Sequence, residues 1–528
     1  MAKIPIRANG RVIQAEPGAI LLQVLLDNGI FVPHYCYHPG LSVAGNCRMC
    51  LVKVAGRPKL ETSCTIRVTA PLEVETEAPE VVAARRDILE FLLINHPLDC
   101  PVCDQAGECL LQDFSYTYGR GASRFTENKV LRDSKPLGPL VHYWGNRCIL
   151  CTRCVRFCDE IAGSGELAVR GRGDHSQIDV FPGRPLDNPL SGNVVDICPV
   201  GALLNRDFLY QARVWFLRST ESICTACARG CNIWIDALGN TIRRLRPRPN
   251  ARVNGWWMCD DGRRSYRSFE THRLAEHRIR GADEPPSLAR AVEAARDALI
   301  GALQRHGAGR VAAVASAAIS NEGLCLFRDL AGRYGMSLAG FVARREGADF
   351  RFPGGFIIDA DKSPNRNGAN WILGSDLLLD GIAPLLAKLR AGAWRALVVL
   401  AGDPGLDWKC LPDDLEIPLL IDTHASPLVP RASVVLAAAG WAEAEGTLVN
   451  SEGRVQRLGR AINPPGDARP LTELLQRVID PDGAARNLLS ARTLFDRMAA
   501  ASTRWGGLTW DAIGPGGAVP VSEANAHG

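Results

Sequence analysis

The chain opens on a pattern of period two. Residues 4–8 alternate as a short strand, Asn9-Gly10 has the composition of a tight hairpin turn, and residues 11–15 return as a second strand. Pro17-Gly18 ends the alternation. From Ala19 to Asn28 the period changes, and Ile20, Leu21, Val24 and Leu25 fall on one face of a helix. A long loop leads from there to a strand over Leu51–Val54. A hairpin, a helix and a long loop predict a β-grasp start.

Val81 to Asn95 reads as a helix that delivers His96, and Gly, Ser and Arg crowd residues 119–124 as a linker. From about residue 285 helix and strand alternate. Helices are predicted over 289–305 and 382–390, and strands over 310–315, 396–401 and 417–422. The turn Gly402-Asp403-Pro404-Gly405 closes the middle strand at its carboxyl end. Such alternation implies a parallel sheet covered by helices. No GxGxxG opens a helix after a strand, so no dinucleotide fingerprint is present.

At 528 residues the chain makes several domains. Its 61 basic residues nearly balance 57 acidic ones, against the clustered basic excess of a nucleic-acid binder. Arg243, Arg244, Arg246 and Arg248 form the one dense basic stretch, read as a solvated loop punctuated by Pro247 and Pro249. The start has neither the apolar core of a signal peptide nor the Arg-rich character of a transit peptide. No apolar run reaches the ~18 residues of a membrane span. The expectation is a soluble, cytoplasmic chain with room for a membrane-bound partner.

Cysteine changes the picture. There are 18, and all but Cys325 and Cys410 lie between Cys36 and Cys259. In a reducing compartment so many thiols point to metal ligands rather than disulfides. Their spacing sorts them into four sets.

The first is Cys36, Cys47, Cys50 and Cys64, in C-x10-C-x2-C-x13-C. One long loop plus a later anchor supplies the four thiolates that a [2Fe-2S] cluster needs. Zinc is the alternative, although structural zinc usually pairs two CxxC knuckles and only one is present. The second set is His96, Cys100, Cys103 and Cys109, in HPLDCPVCDQAGEC. A lone His is more often an ordinary polar residue. Here it precedes a three-cysteine run that lacks the fourth ligand of a [4Fe-4S] cluster.

The third set starts from Cys148, Cys151, Cys154 and Cys158, in C-x2-C-x2-C-x3-C. This is half of a two-cluster bacterial ferredoxin, in which the fourth cysteine of each run ligates the other cluster. Cys198-Pro199 ends the other half, but its remaining ligand positions are Asn188, Ser191 and Val194. One [4Fe-4S] cluster is left, on Cys148, Cys151, Cys154 and Cys198, with Cys158 a relic thiol. The fourth set is Cys224, Cys227, Cys231 and Cys259, in C-x2-C-x3-C-x27-C. By count it suits zinc almost as well as a third [4Fe-4S] cluster. Cys158, Cys325 and Cys410 are read as non-ligands, and no nucleophile constellation or Walker motif is found.

Several long motifs resemble one family. Residues Pro33 to Leu41 (PHYCYHPGL) and Gly45 to Cys50 (GNCRMC) are similar to the first cluster loop of the large iron–sulfur subunit of NADH:quinone oxidoreductase, complex I. Asn95 to Asp113, Cys148 to Phe157 and Asp196 to Leu203 resemble the same family, which they cover over about the first 205 residues. Cys224 to Gly262 resembles the cluster domain at the front of molybdopterin oxidoreductases, and Gly446 to Gln456 is more loosely similar to that superfamily.

The resemblance implies five segments: a β-grasp 2Fe-2S ferredoxin domain at 1–80, a 4Fe-4S segment with one histidine and three cysteine ligands at 81–120, a ferredoxin-like 4Fe-4S domain at 121–215, a 4Fe-4S domain of the molybdopterin type at 216–272, and a shortened molybdopterin-oxidoreductase-like α/β domain at 273–528. It also implies ligation by His96, while a C-terminal half too short to enclose a bis-pterin cofactor, and without a Cys or Ser metal ligand, predicts no molybdopterin. The implied role is that of an electron relay in an oxidoreductase complex, without a substrate site of its own. Its partners would be a flavin subunit that oxidises NADH, a small 2Fe-2S subunit and quinone-side subunits, on the cytoplasmic side of a bacterial inner membrane. In the family the first three sets lie on the route and the fourth lies off it. Cys158 departs from the usual pattern.

Three rivals remain at this level. A formate dehydrogenase subunit shares the front domains but tends to keep both ferredoxin clusters. The electron-transfer subunit of an NAD-reducing hydrogenase usually stops near residue 200. A zinc scaffold would be colourless.

Overall fold

The computed structural model describes residues 2–400 and 405–520. The chain divides into two compact units, Met1–Leu217 with Phe352–Phe356, and Arg218–Arg351 with Ile357–Gly528.

The first unit begins with β1 (Ile4–Ala8) and β2 (Arg11–Ala15), joined through Asn9 and Gly10. Both turn residues have positive φ, 49° and 79°, as a primed two-residue hairpin turn requires. Helix α1 (Leu21–Asp27) follows, then β3 (Leu51–Val54), β4 (Glu61–Thr62) and β5 (Leu72–Glu75). The sheet order is β2-β1-β5-β3-β4, with β1 and β5 parallel and the other pairs antiparallel. Ile6, Ile13, Leu21, Leu22 and Leu25 fill its core together with Cys50 and Cys64. Two candidate ligands are thus anchored in packed structure rather than on a free loop.

Helix α2 (Pro79–Leu93) starts with Pro at its first position, where no N–H is needed. Its buried Arg85 donates to Glu77 (2.7 Å) and to the Leu51 carbonyl, which ties α2 to β3. Helix α3 (Leu110–Tyr118) follows the second cysteine run. The predicted linker at 119–124 is coil, but Arg124 grips Glu90 of α2 with two hydrogen bonds of 2.7 and 2.6 Å. An antiparallel sheet of Ser134–Pro136, Val141–Trp144 and Leu203–Asn205 flanks the third set. There the helical turn Arg153–Arg156 runs on as a π-helical stretch, Phe157–Ala162.

The second unit opens with three antiparallel strands, Arg218–Ile223, Asn232–Leu238 and Thr241–Pro247. Here the basic stretch departs from the solvated loop expected of it. Arg243, Arg244 and Arg246 lie on the third strand, because the neighbouring strand offers the fully buried carboxylate of Asp236, and Arg248 follows the third strand. Arg244 and Arg246 each donate to that carboxylate at 2.7 Å, and Ser219 at 2.6 Å. Burial alone would raise the Asp236 pKa, but the arginines outweigh it and hold the carboxyl below its ordinary range.

Beyond it stands the predicted parallel sheet, seven strands in the order Arg278–Ile279, Ala432–Ala437, Ile417–Asp422, Ala396–Leu400, Val311–Ser316, Ser337–Ala343 and Leu378–Asp380. Only the short first strand is antiparallel. Every residue of Val311–Ser316 is buried, as a strand covered on both faces must be. Helices Leu288–His306 and Asn321–Tyr334 pack on it. Residues 402–404 of the predicted turn lie outside the described residues. A buried polar network, in which Asn365 joins Asn321 to Val449 and Glu322 accepts from Thr447, fixes the hairpin Gly446–Val449 and Val455–Leu458. Among the described residues no helix is long and apolar enough to cross a membrane.

Replacing Asp236 by Ala would strand two arginines against the sheet that carries the fourth set. The expected cost is about 3–5 kcal/mol, measured as a lowered denaturation midpoint. Because the Asp236 pKa is depressed in the fold, its contribution is present above the ordinary carboxylate range and fades as pH falls through it, so the difference between wild type and D236A should shrink in acid.

Candidate metal-cluster sites

The first set sits on the loop after α1. Gly45 and Arg48 take positive φ (64° and 58°) and curl the backbone around Cys47. The Cys36 N–H donates to the Cys47 sulfur at 3.4 Å. Ser63 binds the Cys50 carbonyl through its N–H and its hydroxyl, which holds Cys64 opposite Cys50. The four thiols lie close enough to interact: Cys36 with Cys47 and Cys64, and Cys64 with Cys50. Hydrogen bonds from Cys47 and Cys64 favour ionisation of Cys36, and its charge then opposes that of its neighbours.

In the second set His96 and Cys109 line an open cleft of about 1090 Å³ with Cys100, which is exposed. Burial, helped by Arg147, lowers the His96 pKa to about 4. The neutral imidazole that results is the form able to bind a metal. Cys103 is buried within electrostatic reach of Cys100 and Cys109 and packs on Gly201, whose Cβ, were there one, would stand 2.2 Å from its sulfur. Arg147, next to Cys148, donates to Asp99 at 3.0 and 2.8 Å, and the Leu110 N–H donates to the Pro199 carbonyl at 3.0 Å. The second and third sets are thereby fixed to each other.

The third set lines one small cavity with Tyr143, Ile178 and Leu203. The cavity takes Cys148, Cys151, Cys154 and Cys198 and leaves out Cys158. Leu150 and Thr152 are left-handed (φ 53° and 59°), a conformation unfavourable for a β-branched residue and concentrated at functional sites. The Leu150 N–H reaches the Cys148 sulfur at 3.4 Å, and Tyr143 hydrogen-bonds the same sulfur. Cys158 is fully buried beside Ser164 and Glu166, with its pKa pushed up to about 12 chiefly by burial. Asn188, at a position where a second cluster would need cysteine, donates to Glu166 and to Ser164. A polar network fills that end of the domain.

The fourth set belongs to the second unit. Cys224 to Cys231 form the loop of the hairpin whose last pair is Ile223 and Asn232, closed by the Cys224 N–H on the Cys231 carbonyl at 2.8 Å. Cys259 caps the helix Asp260–Glu270, and the Gly262 N–H donates to its sulfur at 3.3 Å. A Cβ on Gly262 would meet the sulfurs of Cys224 and Cys259 at 3.0 and 3.3 Å, so these two converge on that glycine. Cys325 and Cys410 lie far along the chain and join none of the sets.

These donor sets suit a cationic, sulfur-bound group. Burial pushes Cys148, Cys151 and Cys198 up to about 11 and Cys259 to about 12. Thiols so placed stay protonated unless iron stabilises the thiolate. Tyr35 supplies a second sign. Its hydroxyl is buried without a partner among the described residues, near the sulfurs of Cys47 and Cys109, while its ring packs 5.2 Å from Phe114. An unpaired buried hydroxyl costs about 1–3 kcal/mol, and a cluster sulfur is an acceptor that would remove the cost. Among the described residues no three His, Cys, Asp or Glu side chains converge on a single-ion site. A polynuclear cluster needs no such point, since its four ligands are shared out among the irons, two to an iron in [2Fe-2S] and one in [4Fe-4S].

Fold and sites together define an iron–sulfur protein with 2Fe-2S and 4Fe-4S binding domains. Five family profiles match along the chain: a 2Fe-2S iron-sulfur cluster binding domain at 1–79, the NADH-ubiquinone oxidoreductase-G iron-sulfur binding region at 85–124, the ferredoxin-like domain of NADH-quinone oxidoreductase subunit 3 at 138–204, the NDSU1/NuoG-like 4Fe-4S domain of NADH-ubiquinone oxidoreductase at 217–267 and molybdopterin oxidoreductase at 413–480. The G subunit of NADH-quinone oxidoreductase from Rickettsia conorii is 44% identical over 277 residues, 52% of this chain and 41% of the relative. The NADH-ubiquinone oxidoreductase 75 kDa subunit of Reclinomonas americana is 42% identical over 330 residues, 62% of this chain and 48% of the relative. A solved NAD+-reducing [NiFe]-hydrogenase chain is 32% identical, with a TM-score of 0.37, over 40% of this chain and 91% of that one. The iron–sulfur half of the chain is therefore homologous to the G-type and 75 kDa subunits of NADH:quinone oxidoreductase. The matches span less than half the length of these curated relatives.

Cysteine spacing drew attention to the ligand candidates but not to Gly201, Gly262, Arg147 or Tyr35. Only the two glycines left a signal, as small residues just past a Cys-Pro or a lone Cys. Gly201→Ala should displace Cys103 and lower the bound iron by about four atoms per chain, read by iron analysis and by loss of one [4Fe-4S] EPR signal.

Proposed function

We propose that this chain is the iron–sulfur electron-relay subunit of an NADH:quinone oxidoreductase, passing electrons from a flavin subunit towards quinone. The observation that carries the reading is the linkage of three ligand sets within one unit. Asn46 of the first loop donates to the Leu150 carbonyl of the third at 3.3 Å, and the Leu110–Pro199 hydrogen bond joins second to third. A relay needs its centres held at fixed separations, and these bonds serve that need.

The ligands would be Cys36, Cys47, Cys50 and Cys64 for one [2Fe-2S] cluster, and His96 with Cys100, Cys103 and Cys109, Cys148 with Cys151, Cys154 and Cys198, and Cys224 with Cys227, Cys231 and Cys259 for three [4Fe-4S] clusters. Bound clusters supply reversible one-electron transfer. The chain's own residues bury the thiolates, donate N–H groups to sulfur and exclude water. The five-segment division at 80, 120, 215 and 272 goes with this reading, as do partners in the peripheral arm of complex I and a place on the cytoplasmic face of the membrane. Residues 273–528 act as a reduced structural domain. A cavity of about 350 Å³ lies at the carboxyl ends of the parallel strands, lined by Ser320, Arg344, Asp422 and His424 of this region and by Thr225 and Asp261 of the fourth-set segment, among others.

Metal analysis of anaerobically purified chain tests the reading first, with about 14 irons and no stoichiometric molybdenum expected. Molybdenum at one per chain would make this a catalytic subunit, and zinc in place of iron would end the relay. Within the assembled complex, Cys103→Ala should stop NADH-driven quinone reduction. His96→Cys should keep its cluster at a lower potential, because thiolate adds a negative charge, and an unchanged midpoint in an EPR redox titration would exclude His96 as a ligand.

A further inference from the structure

Two arginines of the helical turn Arg153–Arg156 stand between the first and third ligand sets. They are spaced i, i+3 and so share a face. Arg153 is 7% exposed. It donates to the Ile197 carbonyl at 3.1 Å, just before Cys198, and to the Tyr37 carbonyl, just after Cys36. Arg156 spans the same gap with one nitrogen: Nη2 donates to the Cys36 carbonyl at 2.6 Å and to the Cys151 carbonyl at 3.3 Å, while Nη1 holds the Ser42 carbonyl.

Every acceptor of these guanidinium groups is a neutral carbonyl. Each Nε is buried and has no acceptor among the described residues. The carboxylate of Glu160, on the same stretch, instead accepts from the N–H and hydroxyl of Ser42. Neither arginine forms an ion pair among the described residues. Arg156 is half-buried, whereas Arg153 is buried, and burying a cation without an anion costs several kcal/mol, so Arg153 needs a compensating negative charge nearby. For Arg153 the anionic candidates are the sulfurs of Cys151, Cys198 and Cys36.

A cluster held by four thiolates is anionic and gains one more negative charge on reduction, so a fixed cation beside it favours the reduced form and raises its potential. We infer that Arg153 and Arg156 form a shared cationic bridge that raises the potentials of the clusters on the first and third sets and screens the repulsion between them when both are reduced. Holding the two loops in register is only part of their role. They act as positioning residues through the ligand backbone and as a fixed charge through space. The inference rests on the ligand assignment proposed above.

The test is an EPR redox titration of the full chain with its clusters, comparing wild type, Arg156→Gln and Arg156→Lys. Arg156→Gln is expected to lower the midpoint potentials of both clusters, and Arg156→Lys, which keeps the charge, to leave both near the wild-type values. Two assembled clusters with unchanged potentials in R156Q, a shift confined to one of them, or an equal shift in R156K would overturn the bridge. If R156Q fails to assemble its clusters, Arg153→Lys joins R156K: potentials near wild type support the charge role, and a clear drop in either overturns it. Absence of both signals from the wild-type chain would remove the ligand assignment itself, a separate result.

Discussion

Burying thiolates is the constraint on which the rest of the structure depends. A sulfur anion in an apolar interior is unstable unless metal, N–H donors and cations surround it. Each candidate set meets that demand with local backbone devices. Left-handed Arg48, Leu150 and Thr152 turn N–H groups inward, Cys259 sits at a helix N-terminus, and Gly201 and Gly262 let sulfur approach the main chain. The secondary structure around them is short because its task is to end where a ligand must begin.

The same demand accounts for where charge is placed. Arg147, Arg153 and Arg156 are all held close to cysteine ligand candidates, and only Arg147 pairs with a carboxylate, Asp99. In the second unit the arginines of the Thr241–Pro247 strand have a different duty. Asp236 neutralises them, and the result is a stiff sheet that carries the Cys224–Cys231 loop. Arginine therefore has two uses in this chain: beside the first and third sets its charge is left for sulfur, and in the hairpin sheet it is spent on structure.

Where a two-cluster ferredoxin pattern would place further cysteines, this chain has polar packing instead. Asn188 and Ser191 take positions that cysteines would hold, and Asn188 closes a network with Glu166 and Ser164 around the buried Cys158. The surviving cavity keeps four cysteines, one of them from the Cys198-Pro199 limb.

By itself the sequence determined the element types and the ligand candidates, because both are written in local spacing. Period two and Asn-Gly marked the β1–β2 hairpin, alternation of helix and strand marked the parallel sheet, and CxxC runs marked the sets. Asn188, Ser191 and Val194, standing where cysteines would be needed, likewise gave the expectation of a single ferredoxin-type cluster. Tertiary structure decided what depends on residues distant in sequence. It turned Arg244 and Arg246 from an expected loop into a strand, because their partner Asp236 lies on the neighbouring strand of the sheet. It placed Gly201 against Cys103, left Tyr35 without a partner, and set Arg156 between Cys36 and Cys151. Charge and close packing act through space, and separations of a hundred residues along the chain conceal them.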